Sequence, residues 1–236
     1  MKKAIIAALI MMLVCSASVF AIYSNSSIKD YTGLAIGGSY VKEKYDVQLF
    51  GGTVPEVDKA AQLNIAVSDF IFWGQSNIGF YFDFGAMINL KTSYVRNGQK
   101  VPEDQSKSPL YGDLTMGVCY KNEIGSKVTI IGAFGPQFTY FSRENRYYYD
   151  YDHSWHDVER TYVTMGVSAD LEVLYKLARD VYMSVGGKGS VYFAKWMTSE
   201  ETSWNYWQEH HSSSSTDSAN YFGYRLTPKI SFYYVF

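Results

Sequence analysis

Three observations in the sequence predict an all-β fold, an eight-stranded antiparallel up-and-down transmembrane β-barrel with short periplasmic turns and long extracellular loops. Eight segments alternate apolar and polar residues with a period of two, each keeping one face uncharged over its central part. The connections between these segments alternate short and long. Residues 221–236 place Phe222, Tyr224, Leu226, Pro228, Ile230, Phe232, Tyr234 and Phe236 on one strand face, with Gly223, Arg225, Thr227, Lys229, Ser231 and Tyr233 on the other.

Ahead of the first segment, residues 1–21 have the parts of a secretory signal: Lys2 and Lys3, an apolar run over 4–14, and small residues before a cut near Ala21. Residues 22–236 then form a single barrel domain. A lipoprotein signal ending at Cys15 is disfavoured, because Val14 before it is not small. No later stretch offers the roughly 20 apolar residues of a membrane helix, so a membrane location requires a closed barrel. Aromatic residues make up 17% of the chain, with 22 tyrosines, an excess that suits strands and interfacial belts. A net charge of −2 gives no electrostatic ground for binding nucleic acid. Beyond the leader only Cys119 remains, so neither an internal disulfide nor a thiolate-only metal site can form.

The strands follow in order. Residues 31–41 set Leu34, Ile36 and Tyr40 against Gly33, Ala35, Gly37 and Ser39. Residues 59–72 set Leu63, Ile65 and Val67 against Asn64, Ala66 and Ser68; Asp69 has the wrong parity and predicts a bulge or the membrane edge. Residues 77–91 alternate cleanly from Ile78, Phe80 and Phe82 to Leu90, opposite Tyr81, Asp83, Asn89 and Lys91. Residues 109–121 pair Leu114, Met116 and Val118 with Asp113, Thr115 and Lys121. In 127–141, Ile131 and Phe141 interrupt the polar face and Pro136 sits where a sheet is disrupted. Residues 161–177 and 181–197 complete the set before the terminal strand, with Lys195 as the first charge on either apolar face. Short connections cover 73–76, 122–126 and 178–180; long ones cover 42–58, 92–108, 142–160 and 198–219. Residues 45–50 are too few to span a bilayer, which takes roughly nine to eleven, and read as a hairpin above it, an extra short strand being the alternative. Asn97-Gly98 reads as a tight turn.

Alternation alone also fits a soluble barrel with an apolar cavity. The membrane reading is favoured by the uncharged faces and by the aromatics gathered at the short-turn ends, Trp73, Tyr120, Tyr175, Tyr234 and Phe236. With its leader, eight alternating segments, long outer loops and terminal Phe232-x-Tyr234-x-Phe236, the chain resembles the small eight-stranded bacterial outer-membrane proteins, the group of OmpX, the OmpA membrane domain, the neisserial opacity proteins and OmpW. The resemblance is one of pattern over the whole mature chain. It implies a cell outer-membrane location, a monomer surrounded by membrane lipid, and a barrel-closing signal at Phe232, Tyr234 and Phe236 that the barrel-insertion machinery reads.

Two constellations are candidates for function. The inward faces carry Asp83, Asp113, Asp170 and Glu172 with Lys91, Lys121, Lys176, Lys188, Arg225 and Lys229, expected to pair into a polar lumen network, because buried charge is costly unless partnered. An eight-stranded barrel is just wide enough for side chains to fill. The second is a loop aromatic patch of Tyr147, Tyr148, Tyr149, Tyr151, Trp155, Trp204, Tyr206 and Trp207, residue types that make adaptable binding surfaces. His153, His156, His210 and His211 lie in the long loops without a metal-ligand spacing, so no metal or cofactor is expected. A lipid-A-modifying enzyme would need a Ser-His pair on the barrel wall or an apolar acyl pocket inside, and neither is apparent. The sequence therefore reads as a non-enzymatic outer-membrane barrel acting through its surface loops, in adhesion and host interaction or in a membrane-structural role. The alternative is a narrow OmpW-like channel for small hydrophobic molecules, which requires an apolar upper lumen and a wall opening near Pro136 or residues 187–189.

Overall fold

The computed structural model describes residues 28–49, 52–96, 98–101, 111–149, 154–204, 209–217 and 219–236; the leader expected at 1–21 lies outside them. The strands are β1 (Ile28–Leu49), β2 (Gly52–Trp73), β3 (Ile78–Arg96), β4 (Gln99–Val101), β5 (Tyr111–Ile124), β6 (Val128–Tyr149), β7 (Ser154–Lys176), β8 (Val181–Trp204), β9 (Glu209–Asp217) and β10 (Ala219–Val235). Eight of them form the wall in the order β10-β1-β2-β3-β5-β6-β7-β8, and β8 pairs with β10 to close the ring, every pairing antiparallel. Strand β4 only folds back on β3, and β9 only on the upper half of β8. The predicted eight-stranded up-and-down barrel is the fold observed.

The pleat sends alternate side chains to opposite faces, and burial follows it. Leu34, Ile36, Val118, Phe134, Val185, Leu226, Ile230 and Phe232 are exposed on the outside, whereas Ser68, Asp83, Thr115, Gln137, Glu172 and Ser231 are buried inside. A continuous apolar outer wall of this kind is what lipid requires. Trp73, Tyr120, Tyr175, Tyr234 and Phe236 stand exposed at the short-turn rim. Below that rim Lys29 donates to Glu123 at 2.8 Å, joining strands that are not neighbours in the ring, and this bond holds the Glu123 carboxyl below its ordinary range. Asp69 has outward parity without a bulge, opposite Thr32 and four residues from Trp73, and is buried among its neighbours, so of the two expectations the membrane edge is the one that fits.

The strands run further than alternation alone marked out. Strand β1 continues to Leu49 and pairs with the start of β2, Tyr45 with Glu56 and Leu49 with Gly52, so residues 45–49 extend a wall strand above the membrane and are not a separate one. Arg96 pairs with Gln99 around a turn in which Gly98 has φ of 75°, the conformation the Asn97-Gly98 pair predicts; Asn97 itself is outside the described residues.

Two one-residue bulges overturn the parity of the sequence reading. Ala61 pairs with Lys91 but Gln62 pairs with Asn89, leaving Leu90 as an extra residue. Lys91, expected in the lumen, is therefore exposed on the outer wall. Met165 pairs with Ala194 but Gly166 pairs with Tyr192, so Phe193 is the extra residue and Lys195 turns inward, where it is 0% exposed along its side chain.

The wall is paired at residues 187–189, one of the two places where an opening was considered. Gly187 and Gly189 are matched on both sides, to Leu171 and Ala169 on β7 and to Pro228 and Leu226 on β10. At the β1–β10 seam Pro228 has no N–H to offer, and a hydroxyl bond of 2.9 Å between Ser39 and Thr227 crosses there instead. At Pro136, the second place, the β5–β6 ladder is interrupted between Thr115–Gln137 and Val118–Phe134, but the strands stay in contact: a Cβ on Gly135 would press on the Met116 carbonyl oxygen and lie 2.7 Å from the Gly117 Cα. Gly135→Ala is expected to destabilise the barrel by about 2 kcal/mol or more through overpacking that only backbone movement can relieve. Urea unfolding in phospholipid vesicles, with the heat-sensitive gel mobility of the folded form as readout, checks this; an unchanged midpoint would refute it.

Candidate functional site

The lumen is filled in three layers. At the short-turn end an aromatic floor forms from Tyr31, Phe70, Phe72, Tyr81, Tyr182 and Tyr233 with Cys119, Ile131 and Leu174. Phe70 stacks on Tyr81 at 5.0 Å between centroids, and Tyr31 meets Tyr182 edge-on at 5.6 Å. Ile131, which breaks the polar alternation of its strand, is part of this floor. Two of the expected network cations belong here as well. Lys121 sits 4.8 Å over the Phe72 ring and 3.5 Å from Glu123, and half-buried Lys176 lies 5.8 Å over Tyr182.

The middle layer carries the charge. Lys188 donates to Asp83, and to Asp113 at 3.1 Å. Arg225 lies 3.7 Å from Asp113 and 5.4 Å from the centre of the Tyr192 ring. Lys229 donates to Asp170 at 2.6 Å and sits 2.7 Å from Glu172. Neutral donors complete the carboxylates: Ser68 to Asp83 at 2.6 Å, Gln137 to Asp113 at 2.6 Å, Tyr81 to Asp170 at 2.8 Å, Tyr233 to Glu172 at 2.7 Å, and Ser184 to Glu172. Every carboxylate thus has a cation and a neutral hydrogen bond, the condition under which buried ion pairs are tolerated. The side-by-side acids Asp170 and Glu172 share one lysine and are not set up as a separate acid and base.

The upper layer contains what the sequence reading missed. Lys195 donates to Glu43 at 2.9 Å, and Tyr221 donates to the other Glu43 oxygen at 3.0 Å. Around the ammonium stand the rings of Tyr45 at 3.7 Å, Tyr162 at 4.6 Å, Phe141 at 5.2 Å and Tyr221 at 5.4 Å. Tyr111, Phe141 and Tyr162 stack in series at 4.7 and 4.5 Å, which gives the second alternation-breaker, Phe141, its place. The alternation of Val41, Glu43 and Tyr45 against Lys42 and Lys44 was the available signal for the length of β1, and nothing local announces the bulge that delivers Lys195. A cavity of about 20 Å³, room for a single water, lies beside this layer between Val41, Glu43, Ala60, Thr92, Phe141 and Arg225.

Above the lumen β6, β7, β8 and β9 continue as a sheet. β7 and β8 have 23 and 24 residues, of which roughly nine to eleven are needed to cross a bilayer. Their register brings part of the aromatic patch into one row: Tyr148 is opposite Trp155, and Trp155 is opposite Trp204. Tyr147 is opposite His156, and Tyr149 opposite Ser154, while Tyr151, Tyr206 and Trp207 lie outside the described residues. Among the described residues no group of three or more His, Cys, Asp or Glu side chains is placed to hold a metal ion.

An apolar outside, a closed antiparallel ring and a side-chain-filled interior define a β-barrel of the membrane-spanning class. One solved structure supports the fold, and others align less closely. A major outer membrane protein from Thermus thermophilus is 15% identical over 88% of this chain and 99% of its own, with a TM-score of 0.51. Neisserial surface protein A aligns at 10% identity over 85% of this chain and 95% of its own (TM-score 0.46), and Ail, the attachment invasion locus protein of Yersinia pestis, at 8% over 86% and 98% (TM-score 0.41). No family model and no curated protein sequence matches the chain.

Lys188→Met is expected to destabilise the barrel by about 3–5 kcal/mol, because Asp83 and Asp113 are then buried with too little positive charge. Adding Asp83→Asn to Lys188→Met should restore a large part of that loss. Equilibrium unfolding in vesicles measures both, and equal stability of Lys188→Met and the native chain would show that the network is not a closed charge balance.

Proposed function

We propose that the protein resides in the bacterial outer membrane as a non-enzymatic barrel with its long loops outside, and that its working part is the sheet above the membrane. Export under residues 1–21, insertion by the barrel-assembly machinery reading Phe232, Tyr234 and Phe236, and a monomeric wall surrounded by lipid belong to this reading. The observation that carries it is the contrast between the two candidate regions. The lumen is filled from floor to roof by aromatic side chains and ion pairs, whereas β6 to β9 project well past a bilayer and align Tyr148, Trp155 and Trp204 across three strands. A sheet bearing aromatic residues suits an extracellular macromolecular partner, since aromatics supply contact area with little loss of side-chain entropy. Adhesion or host interaction is the form of activity this favours over a membrane-structural role.

The hydrophobic-conduit reading fits poorly. It needs an apolar upper lumen, and that level holds Glu43, Lys195 and Arg225. It also needs a lateral opening, and residues 187–189 are paired on both sides.

Shortening the β6–β7 and β8–β9 hairpins, by removing residues 146–156 and 202–210, is expected to leave a folded barrel with heat-sensitive gel mobility while abolishing binding of expressing cells to a host-cell or matrix surface. Unchanged binding would move the role to the membrane itself. Reproducible conductance steps from the purified native protein in planar bilayers would overturn the filled-lumen reading.

A further inference from the structure

The bulge at Leu90 does more than remove a lysine from the lumen. It adds Lys91 to a set of lysines on the outer face of β1, β2 and β3. Lys42 and Lys59 are direct cross-strand partners. Lys44 is the next outward residue along β1, and Lys91, opposite Ala61, is diagonal to Lys59. Pleated-sheet spacing puts neighbouring members of this set about 5–8 Å apart at Cβ. Lys44, Lys59 and Lys91 are exposed and Lys42 is half-buried. None of the four makes an ion pair with a described carboxylate, and the described acid nearest them on that face, Asp46, accepts a bond of 2.8 Å from Asn220.

Like charges directly opposite one another are unfavourable in a sheet, so Lys42 against Lys59 invites an anion to bridge them. The height of the set says which anion. Leu34, Ile36 and Tyr40 lie beneath Lys42 on β1, Ile65 beneath Lys59 on β2, and Ile88 and Leu90 beneath Lys91 on β3, all of them exposed. Tyr224 and Phe222 on β10 flank the set, opposite Lys42 and Lys44. The lysines therefore stand where the apolar belt ends on the long-loop side, at headgroup level. The wall is also polarised around its circumference: at the corresponding upper level of β7 and β8 the outward cross-strand pair is Glu159 with Glu200.

We propose that the outer face of β1, β2 and β3 is a binding site for a phosphorylated lipid headgroup of the outer leaflet, a lipid-A-type phosphoglycolipid, with Lys42, Lys59 and Lys91 clasping its phosphates, Lys44 reaching its outer edge, and Leu34, Ile36, Ile65, Ile88 and Leu90 lying along its acyl chains. The proposal rests on the orientation of the barrel given above. Phosphate bridging by several lysines offsets their mutual repulsion and anchors the barrel at a fixed depth and rotation.

The test uses the full mature chain refolded into phosphatidylcholine nanodiscs and titrated with bis-phosphoryl lipid A, with binding read by native mass spectrometry. Combining Lys42→Gln, Lys59→Gln and Lys91→Gln should lower lipid A retention about a hundredfold, since each lysine near a charged headgroup contributes roughly a factor of five. Glu159→Gln with Glu200→Gln should leave retention unchanged, and dephosphorylated lipid A should bind as weakly as phosphatidylcholine. Equal retention by the triple variant, equal binding of the dephosphorylated lipid, or displacement by excess inorganic phosphate alone would overturn the site as a lipid site. Heat-sensitive mobility of the triple variant in the same nanodiscs shows that the barrel has inserted. A native chain that fails to insert would instead overturn the membrane reading on which the site depends.

Discussion

Everything in this molecule descends from the need to satisfy the backbone where no water is available to do it. A sheet in hydrocarbon cannot have an edge, so β10 must meet both β1 and β8, and the seam is completed by the Ser39 to Thr227 hydroxyl bond at the one place where Pro228 has no N–H. Closing eight strands leaves an interior only as wide as its side chains. Charge placed there must neutralise itself, and it does: Lys188 between Asp83 and Asp113, Lys229 between Asp170 and Glu172, Lys195 against Glu43. The network is thus a consequence of closure and not a separate invention.

The two aromatic layers follow from the same geometry. At each end of the lumen the ion pairs come nearest to bulk water, which would compete for them. The floor of Tyr31, Phe72, Tyr182 and Tyr233 and the upper group of Tyr111, Phe141 and Tyr162 cover the charged middle and keep it in a low-dielectric setting, where each pair is stronger. Lys195 inside a ring of tyrosines and Phe141 shows the principle at one residue: the ammonium gives up water for one carboxylate and several π faces.

Two bulges have consequences out of proportion to their size. Each adds one residue to one strand, and each reverses the sidedness of everything above it. The first sends Lys91 out to join Lys42 and Lys59, and the second brings Lys195 in to meet Glu43. Lumen balance and surface charge are therefore set by the same small device, applied in opposite senses on β3 and β8.

Alternation, connection length and the terminal aromatic strand were enough by themselves to determine the eight-stranded barrel, its outward apolar face and most of the polar residues inside it, because period two maps directly onto two sides of a pleat. Asp83, Asp113, Asp170, Glu172, Lys188, Arg225 and Lys229 all point inward as their parity says. What alternation could not decide is where parity changes and where a strand stops. A bulge is a property of two strands in register, invisible in either one alone, so Lys91 and Lys195 exchanged the faces that their own sequences imply. Glu43, Tyr45 and Tyr221 became lumen residues only because β1, β2 and β10 stay paired above the bilayer, where no apolar face marks their extent. The tertiary structure alone chose the partners of each charge, since pairing across a closed ring joins residues that are distant along the chain.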